Sequence, residues 1–332
     1  MKKSMLTGLL MTVLLFVPPL IFTPATAAVA PPKEETSAPV EEKTPEAVHR
    51  DADVKLRVWD GKKVRETTLA EYLPGVVRGE MPATFENAAL AAQAVAERTY
   101  IYYHLQGSRK SSHPDADVCT DPACCSAWIS SKEAKKRWGD HYEEYEARVD
   151  KAVADTDGQI ILYDGAPILA VFHSSSAGST AASGQVWAAD LPYLRSVSSP
   201  ETEDTVPNYY SVTTLTAEEF RKTFLASFPD ADLSGEAKGW ITGAVRDDSG
   251  RVEQITVGGV TVTGAQMRAT FSLRSTAFTA TAEGEEITFR VTGYGHGVGM
   301  SQYGANELAR QGKTWQEILQ WYYTGVTIGP AA

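Results

Sequence analysis

The sequence predicts an α+β domain, and three observations carry the prediction. Turn dipeptides at Asp60-Gly61, Asp164-Gly165 and Gly258-Gly259 each sit between short β-rich runs, the signature of hairpins. Capping boxes and a long run of small helix formers mark helices between and after them. Strands and helices never settle into the alternation of a parallel βαβ sheet, and the chain carries no internal repeat. With 332 residues and 43% hydrophobic content there is material for one large domain or two modest ones.

The chain opens MKKSMLTGLLMTVLLFVPPLIF: two lysines, an apolar run from Met5 to Phe22, then Ala25 and Ala27 as the small residues of a cleavage site. Residues 1–27 therefore read as an export segment, either removed or kept as a membrane anchor; Pro18 and Pro19 interrupt a run otherwise long enough to cross a mismatched bilayer. Residues 28–51 are rich in Pro and Glu with almost nothing large and apolar. They cannot offset the entropy of ordering and read as a disordered linker, a stalk or a remnant of export.

Residues 52–329 read as the folded domain. VKLRVWDGKKVRETTL forms a hairpin, and the capping box Thr68-Leu69-Ala70-Glu71 starts a helix that Pro74 is expected to break or kink. A second helix spans Asn87 to His104, its small residues letting another element approach closely. GQIILYDGAPILAVFH is a hairpin that delivers His173 to a strand end, VEQITVGGVTV is another, and EEITFRVTGYG adds a strand. One helix follows Met300; the last begins at the capping box Thr314…Glu317 and stops at Gly325.

A net charge of −11 with no basic block excludes a nucleic-acid binder and gives the folded part no attraction to an anionic membrane. Four constellations then offer chemistry. Leu69, Leu73, Val76 and Glu80 share a helical stripe, so a carboxylate rides with three apolar side chains. Either Glu80 is an ordinary solvated residue near a helix end, or desolvation raises its pKa as a general acid requires. SHPDADVCTDPACCSAW gathers His113 and all three cysteines, Cys119, Cys124 and Cys125, within thirteen residues. Four such ligands suit a structural tetrahedral zinc. A disulfide from Cys119 to either neighbour, or a site in which Cys124 is a bystander, stays open beside it.

FHSSSAG places His173 before a small-residue loop; a Ser–His pair drawn there lacks a GxSxG elbow, and ordinary loop chemistry explains the segment as well. In GYGHGVGMSQYGA, Gly293, Gly295, Gly297 and Gly299 alternate with larger residues, with no Walker lysine. Either the glycines admit a bulky ligand to which His296, Gln302 and Tyr303 donate, or they form a tight turn against the core.

Taken together these stretches resemble the stage II sporulation protein D family, exported peptidoglycan lytic transglycosylases. The matching segments are LAEYLPGVVRGEMPATF, ALAAQAVAERTY, DVCTDPACCSAW, FHSSSAGST, QVWAADLPYLRSV, LRSTAF and GYGHGVGMSQYGANELARQGKTWQEILQWYYTG, in family order from about residue 52 to 329. The resemblance implies a two-lobed fold with a cleft and cleavage of the MurNAc-β-1,4-GlcNAc bond to a 1,6-anhydro end, with Glu80 of the GEMP motif as the catalytic acid. It implies zinc on His113, Cys119 and Cys125, with Cys124 standing where the family often has histidine. Arg98, His173, Ser175, His296, Gln302 and Tyr303 are then candidates for binding the sugar's acetamido and hydroxyl groups. The expected partners are glycan strands, a cell-wall amidase and a membrane partner of engulfment, and the expected location is extracytoplasmic with the N-terminal segment retained as anchor. Two rival functions are a non-catalytic cell-wall-binding enhancer of an amidase and a zinc hydrolase acting on the peptide stems.

Overall fold

The computed structural model describes residues 50–331 apart from 108, 109 and 111. The export segment 1–27, and the linker 28–51 except for its last two residues, lie outside the described residues. Asp51, placed in that linker, belongs to the fold: it is buried and paired with Arg98. Among the described residues no helix is long and apolar enough to cross a membrane.

Strands β1 (Lys55–Trp59) and β2 (Val64–Thr68) form the first hairpin, with Trp59 opposite Val64. Its turn is tied by the Asp60 carboxylate, which accepts from the Lys62 and Lys63 amides at 2.9 Å. Helix α1 (Leu69–Glu80) starts at the Thr68 capping box as expected, and it continues unbroken across Pro74. The proline removes one hydrogen bond at a cost of about 3 kcal/mol in an exposed helix. Here Leu69, Tyr72, Leu73, Val76 and Val77 are all buried, each stabilising by roughly 1.5–3 kcal/mol, and packing wins.

Helix α2 (Asn87–Gln106) is buried at every position from Ala89 to Tyr102. A helix enclosed on all sides must satisfy its polar residues internally. Arg98, expected to meet substrate, does so completely: its guanidinium donates to Asp51 Oδ1 at 2.7 Å and Oδ2 at 2.8 Å, to Thr156 Oγ1 and to the carbonyls of Val153 and Gln159. It is a structural clamp, and it does not line the cavity that Glu80 faces. Thr99 likewise receives the Ile161 amide.

After β3 (Val118–Cys119), parallel to β1, come α3 (Ser131–Trp138), α4 (Tyr142–Asp155), β4 (Gln159–Tyr163) and β5 (Ala166–Pro167). The turn between β4 and β5 takes positive φ at Asp164 and Gly165, the two-residue hairpin anticipated from sequence. Then follow β6 (Phe172–His173), α5 (Ser183–Val186), β7 (Tyr210–Thr216), α6 (Ala217–Ser227), β8 (Ile241–Arg246), β9 (Val252–Val257), β10 (Val260–Thr263) and α7 (Gly264–Thr270). The chain closes with β11 (Phe278–Glu283), β12 (Glu286–Thr292), β13 (Met300–Ser301), α8 (Gln302–Arg310), α9 (Trp315–Tyr322) and β14 (Thr327–Pro330). The strand orders are β2-β1-β3, β5-β4-β14, β6-β13, β7-β12-β11 and β8-β9-β10. Antiparallel pairing dominates, and the class is α+β.

Two apolar clusters hold these elements. The first surrounds α2, against which α1, α4, α8, α9 and β4 pack. The second joins the sheets of β7–β12 through α6 and α7, with stacked rings at its centre such as Phe220 and Phe271, 4.8 Å apart.

Candidate active site and metal centre

Glu80 is the last residue of α1, and what holds it is the segment 126–129 crossing that helix. The Ile129 amide donates to Gly75 O at 3.0 Å, the Trp128 indole donates to Tyr72 O at 3.2 Å, and the Ala127 amide donates to Glu80 Oε1. The crossing is close because glycine stands at both contact points. A Cβ on Gly75 would lie 2.1 Å from Trp128 Nε1, and one on Gly79 would lie 2.6 Å from Ala127 O. Burial raises the Glu80 carboxyl above the ordinary carboxylate range, partly opposed by the Ala127 N–H.

Glu80 faces a cavity of about 390 Å³, lined also by Tyr100, Cys125, Ser126, Phe172, His173, Ser174, Arg268, Tyr294, His296 and Gln302. Gln302, the first residue of α8, donates to the Glu80 carbonyl at 3.0 Å and so ties α8 to the end of α1. Arg268, from α7, is the cation of this lining, and no sequence motif announced it. Its Nε donates to Leu273 O at 3.2 Å.

The two histidines are spent on the protein itself. His173 has Nδ1 3.2 Å from Val298 O and Nε2 2.7 Å from Ser176 Oγ. The carbonyl requires a proton on Nδ1, so Nε2 accepts from the serine. Sequence neighbours do meet here, but Ser176 is wholly buried and its hydroxyl is no nucleophile for a ligand. His296 accepts from the Val298 amide on Nδ1 at 3.1 Å, and its ring packs 5.1 Å from Trp187. Burial holds His173 well below the usual histidine range and lowers His296 to about 4, so both are neutral. Ser175, also expected in the site, is buried and engaged through its backbone with Tyr294 at 2.9 and 3.1 Å, outside the cavity lining. Tyr303 packs edge-on against Phe85, 4.9 Å away, and its amide donates to Ser174 O.

The glycine loop follows the tight-turn alternative. All four glycines have positive φ, and a Cβ on Gly295, Gly297 or Gly299 would strike His173 Cβ, Arg251 Cζ or Val171 O at 2.7, 2.4 and 2.1 Å. The space the missing side chains leave is filled by the protein's own chain at 171–176 and by Arg251.

A second carboxyl stands behind Glu80. Glu97, one residue before Arg98, is completely buried. Gln93 Nε2 donates to its Oε1 at 3.2 Å and the Ser126 hydroxyl to its Oε2 at 3.0 Å. Burial pushes its pKa well above the carboxylate range, and the charge of Glu80 adds to the shift. The sequence signal for it is an acid that directly follows the small apolar run Ala94-Val95-Ala96.

Just ahead of the crossing segment, His113, Cys119, Cys124 and Cys125 bring one ligand atom each to within 4.8 Å of one another. Cys125 Sγ lies 3.4 Å from His113 Nε2. For comparison, a tetrahedral zinc with Zn–S of ~2.3 Å separates its sulfurs by ~3.8 Å, so the set fits a metal ion with little adjustment. His113 Nδ1 points to Ala116 O at 3.2 Å, which fixes the tautomer that leaves Nε2 for a metal. The adjacent cysteines converge because both their amides donate to Asp121 O, a tight turn that swings the two thiols inward. All three thiols are free, and the Lys110 ammonium donates to Cys124 O beside them.

A family model described as stage II sporulation protein matches residues 60–163, the span that includes Glu80, Glu97 and the thiol cluster. Over its whole length the chain is 34% identical to 97% of the stage II sporulation protein D of Bacillus subtilis (strain 168). It is 33% identical, over 98% of its length, to 95% of the protein of that name from Bacillus amyloliquefaciens. It is also 26% identical, over 77% of its length, to 40% of an amidase enhancer of Bacillus subtilis (strain 168).

Proposed function

The chain belongs to the stage II sporulation protein D family, and from that membership we propose that it is a cell-wall enzyme of sporulation, a lytic transglycosylase cutting between N-acetylmuramic acid and N-acetylglucosamine. The observation that supports this most is a single carboxyl, Glu80, set in a cavity with its pKa raised by burial and one N–H held against it. A hydrolytic glycosidase ordinarily needs a second carboxylate to attack or to activate water. When the sugar's own C6 hydroxyl attacks C1, that need disappears, because the nucleophile is already tethered at high effective concentration. Glu80 protonates the glycosidic oxygen as the bond breaks, then takes the proton of the C6 hydroxyl as the anhydro ring closes. Glu97 does not reach the cavity and takes no part in bond making.

His113, Cys119, Cys124 and Cys125 would hold zinc with all four positions filled, which makes the ion structural and leaves no place for a reacting water. The enzyme would act outside the cytoplasm, held by residues 1–27, beside a cell-wall amidase and a membrane partner of engulfment. The test is mass spectrometry of purified glycan strands after digestion. The intact protein should generate 1,6-anhydro ends, and Glu80→Gln should lose roughly 10²–10⁴-fold of the rate, the usual worth of a positioned acid and base. Unchanged anhydro product from E80Q would refute the assignment.

The similarity to an amidase enhancer favours a second function, stimulation of a cell-wall amidase without chemistry of its own. That predicts intact glycan strands and faster release of stem peptides when an amidase is added.

A further inference from the structure

Glu97 is a buried acid for which the transglycosylase chemistry has no use, yet it is bonded into the site from two sides. Ser126, which donates to it, immediately precedes Ala127, whose amide holds Glu80. Gln93, which donates to its other oxygen, lies with its own carbonyl oxygen 3.5 Å from Gln302 Nε2, the atom that donates to the Glu80 backbone. The hydrogen bonds close a ring from Glu80 through Gln302, Gln93, Glu97 and Ser126 back to Ala127.

No cation sits in that ring. Among the described residues the partners of Glu97 are a neutral amide and a neutral hydroxyl, and the neighbouring guanidinium of Arg98 is turned away onto Asp51. The titratable groups that sense it are Glu80 and Tyr72 from α1, Tyr100 one turn along α2, and Tyr323 beyond α9. None can offset a negative charge, and an isolated buried carboxylate protonates rather than stay ionised.

Resting on the assignment of Glu80 as the acid, we propose that Glu97 is a positioning residue for it: a proton-carrying carboxyl that never meets the glycan, braces Ser126 so that the Ala127 amide stays on Glu80, and leaves Glu80 the only member of the pair to ionise during turnover. A charge on Glu97 would hold the proton on Glu80 and block the first half of its work, the donation to the glycosidic oxygen. A missing side chain would release Ser126 and with it the Ala127 amide.

Glu97→Gln and Glu97→Ala separate these demands. Glutamine is neutral and offers one acceptor and one donor, so E97Q should keep kcat within about threefold of wild type, whereas E97A should lose about tenfold or more in kcat with KM unchanged. The alkaline limb of the pH–rate profile, which Glu80 sets, should keep its position in E97Q, because a carboxyl that stays protonated contributes no charge to remove. Titration of 13C-labelled glutamate carboxyls by NMR supplies a readout independent of turnover. Glu97 should show the protonated shift at neutral pH while Glu80 titrates, with the same midpoint in E97Q.

An ionised Glu97 at neutral pH, or an E97Q protein as impaired as E97A, overturns the proposal. Should E97A fail to fold, the E97Q profile and the titration still decide. Persistence of anhydro products with E80Q would instead remove the catalytic assignment of Glu80, and the protonation of Glu97 would still be read by NMR.

Discussion

Replacing Gly75 by alanine sets two effects of opposite sign against each other. Alanine in a helix interior is favoured over glycine by about 1 kcal/mol. Against this, the new Cβ would sit 2.1 Å from Trp128 Nε1 and 2.6 Å from two other ring atoms. Ordinary contact needs ~3.5 Å, so the indole must retreat by ~1.4 Å. That breaks the Trp128–Tyr72 hydrogen bond, worth about 1 kcal/mol, and overpacks a close contact, which typically costs about 1–3 kcal/mol. Subtracting the helix gain leaves a net loss of about 1–3 kcal/mol, roughly 2–4 °C of Tm for each kcal/mol.

The functional effect should exceed the thermal one. Trp128 is bonded to Ala127, whose amide holds Glu80, and a misplacement of about 1 Å at a reacting group can cost about 10²-fold in rate. Losing that N–H also removes what opposes the burial of Glu80, so its pKa rises further and the alkaline limb of the activity profile moves to higher pH. Differential scanning calorimetry and anhydro-product assays across pH test this, with Gly235→Ala, where a Cβ meets nothing, as the control. A Gly75→Ala protein that is more stable than wild type and fully active would refute the reasoning.

Stability should depend on pH through Glu97. Its folded pKa lies above the unfolded value of 4.5, so stability falls as pH rises through the window between the two and levels off above the folded pKa. Urea denaturation should show Glu97→Gln equal to wild type near pH 4 and increasingly more stable toward neutrality, by up to about 1.4 kcal/mol per pH unit across that window. Arg98→Ala should cost about 3–5 kcal/mol by leaving buried Asp51 unpaired, and Arg98→Lys should recover only part of it, while the folded fraction of either variant keeps its kcat. Protein purified without reducing agent should carry one zinc per chain by mass spectrometry, and stripping it should lower Tm and expose three titratable thiols; two thiols missing from that count would reveal a disulfide instead.

Much of the local structure was written in short-range signals. The Thr68 and Thr314 capping boxes, the Asp164-Gly165 turn and the small-residue run of α2 each act within a few residues, and each formed where expected. Pro74 does not break α1 because the cost of a proline is local while the burial that outweighs it belongs to the whole helix. Arg98 misled for a related reason. A guanidinium in a motif looks available, but whether its donors are already taken depends on Asp51 and on Thr156 and Gln159, the latter about 60 residues away. The neutral, internally bonded histidines and Arg268 depend on which loops the fold brings together, and no spacing along the chain encodes that.

Cys125, Ser126 and Ala127 serve three masters in succession: a thiol for the His/Cys cluster, a hydroxyl for Glu97 and an amide for Glu80. Inserting or deleting one residue there would shift every one of these groups off its target at once. The thiols and the seat of the acid therefore share one stretch of chain, and its length matters to both more than any single side chain within it.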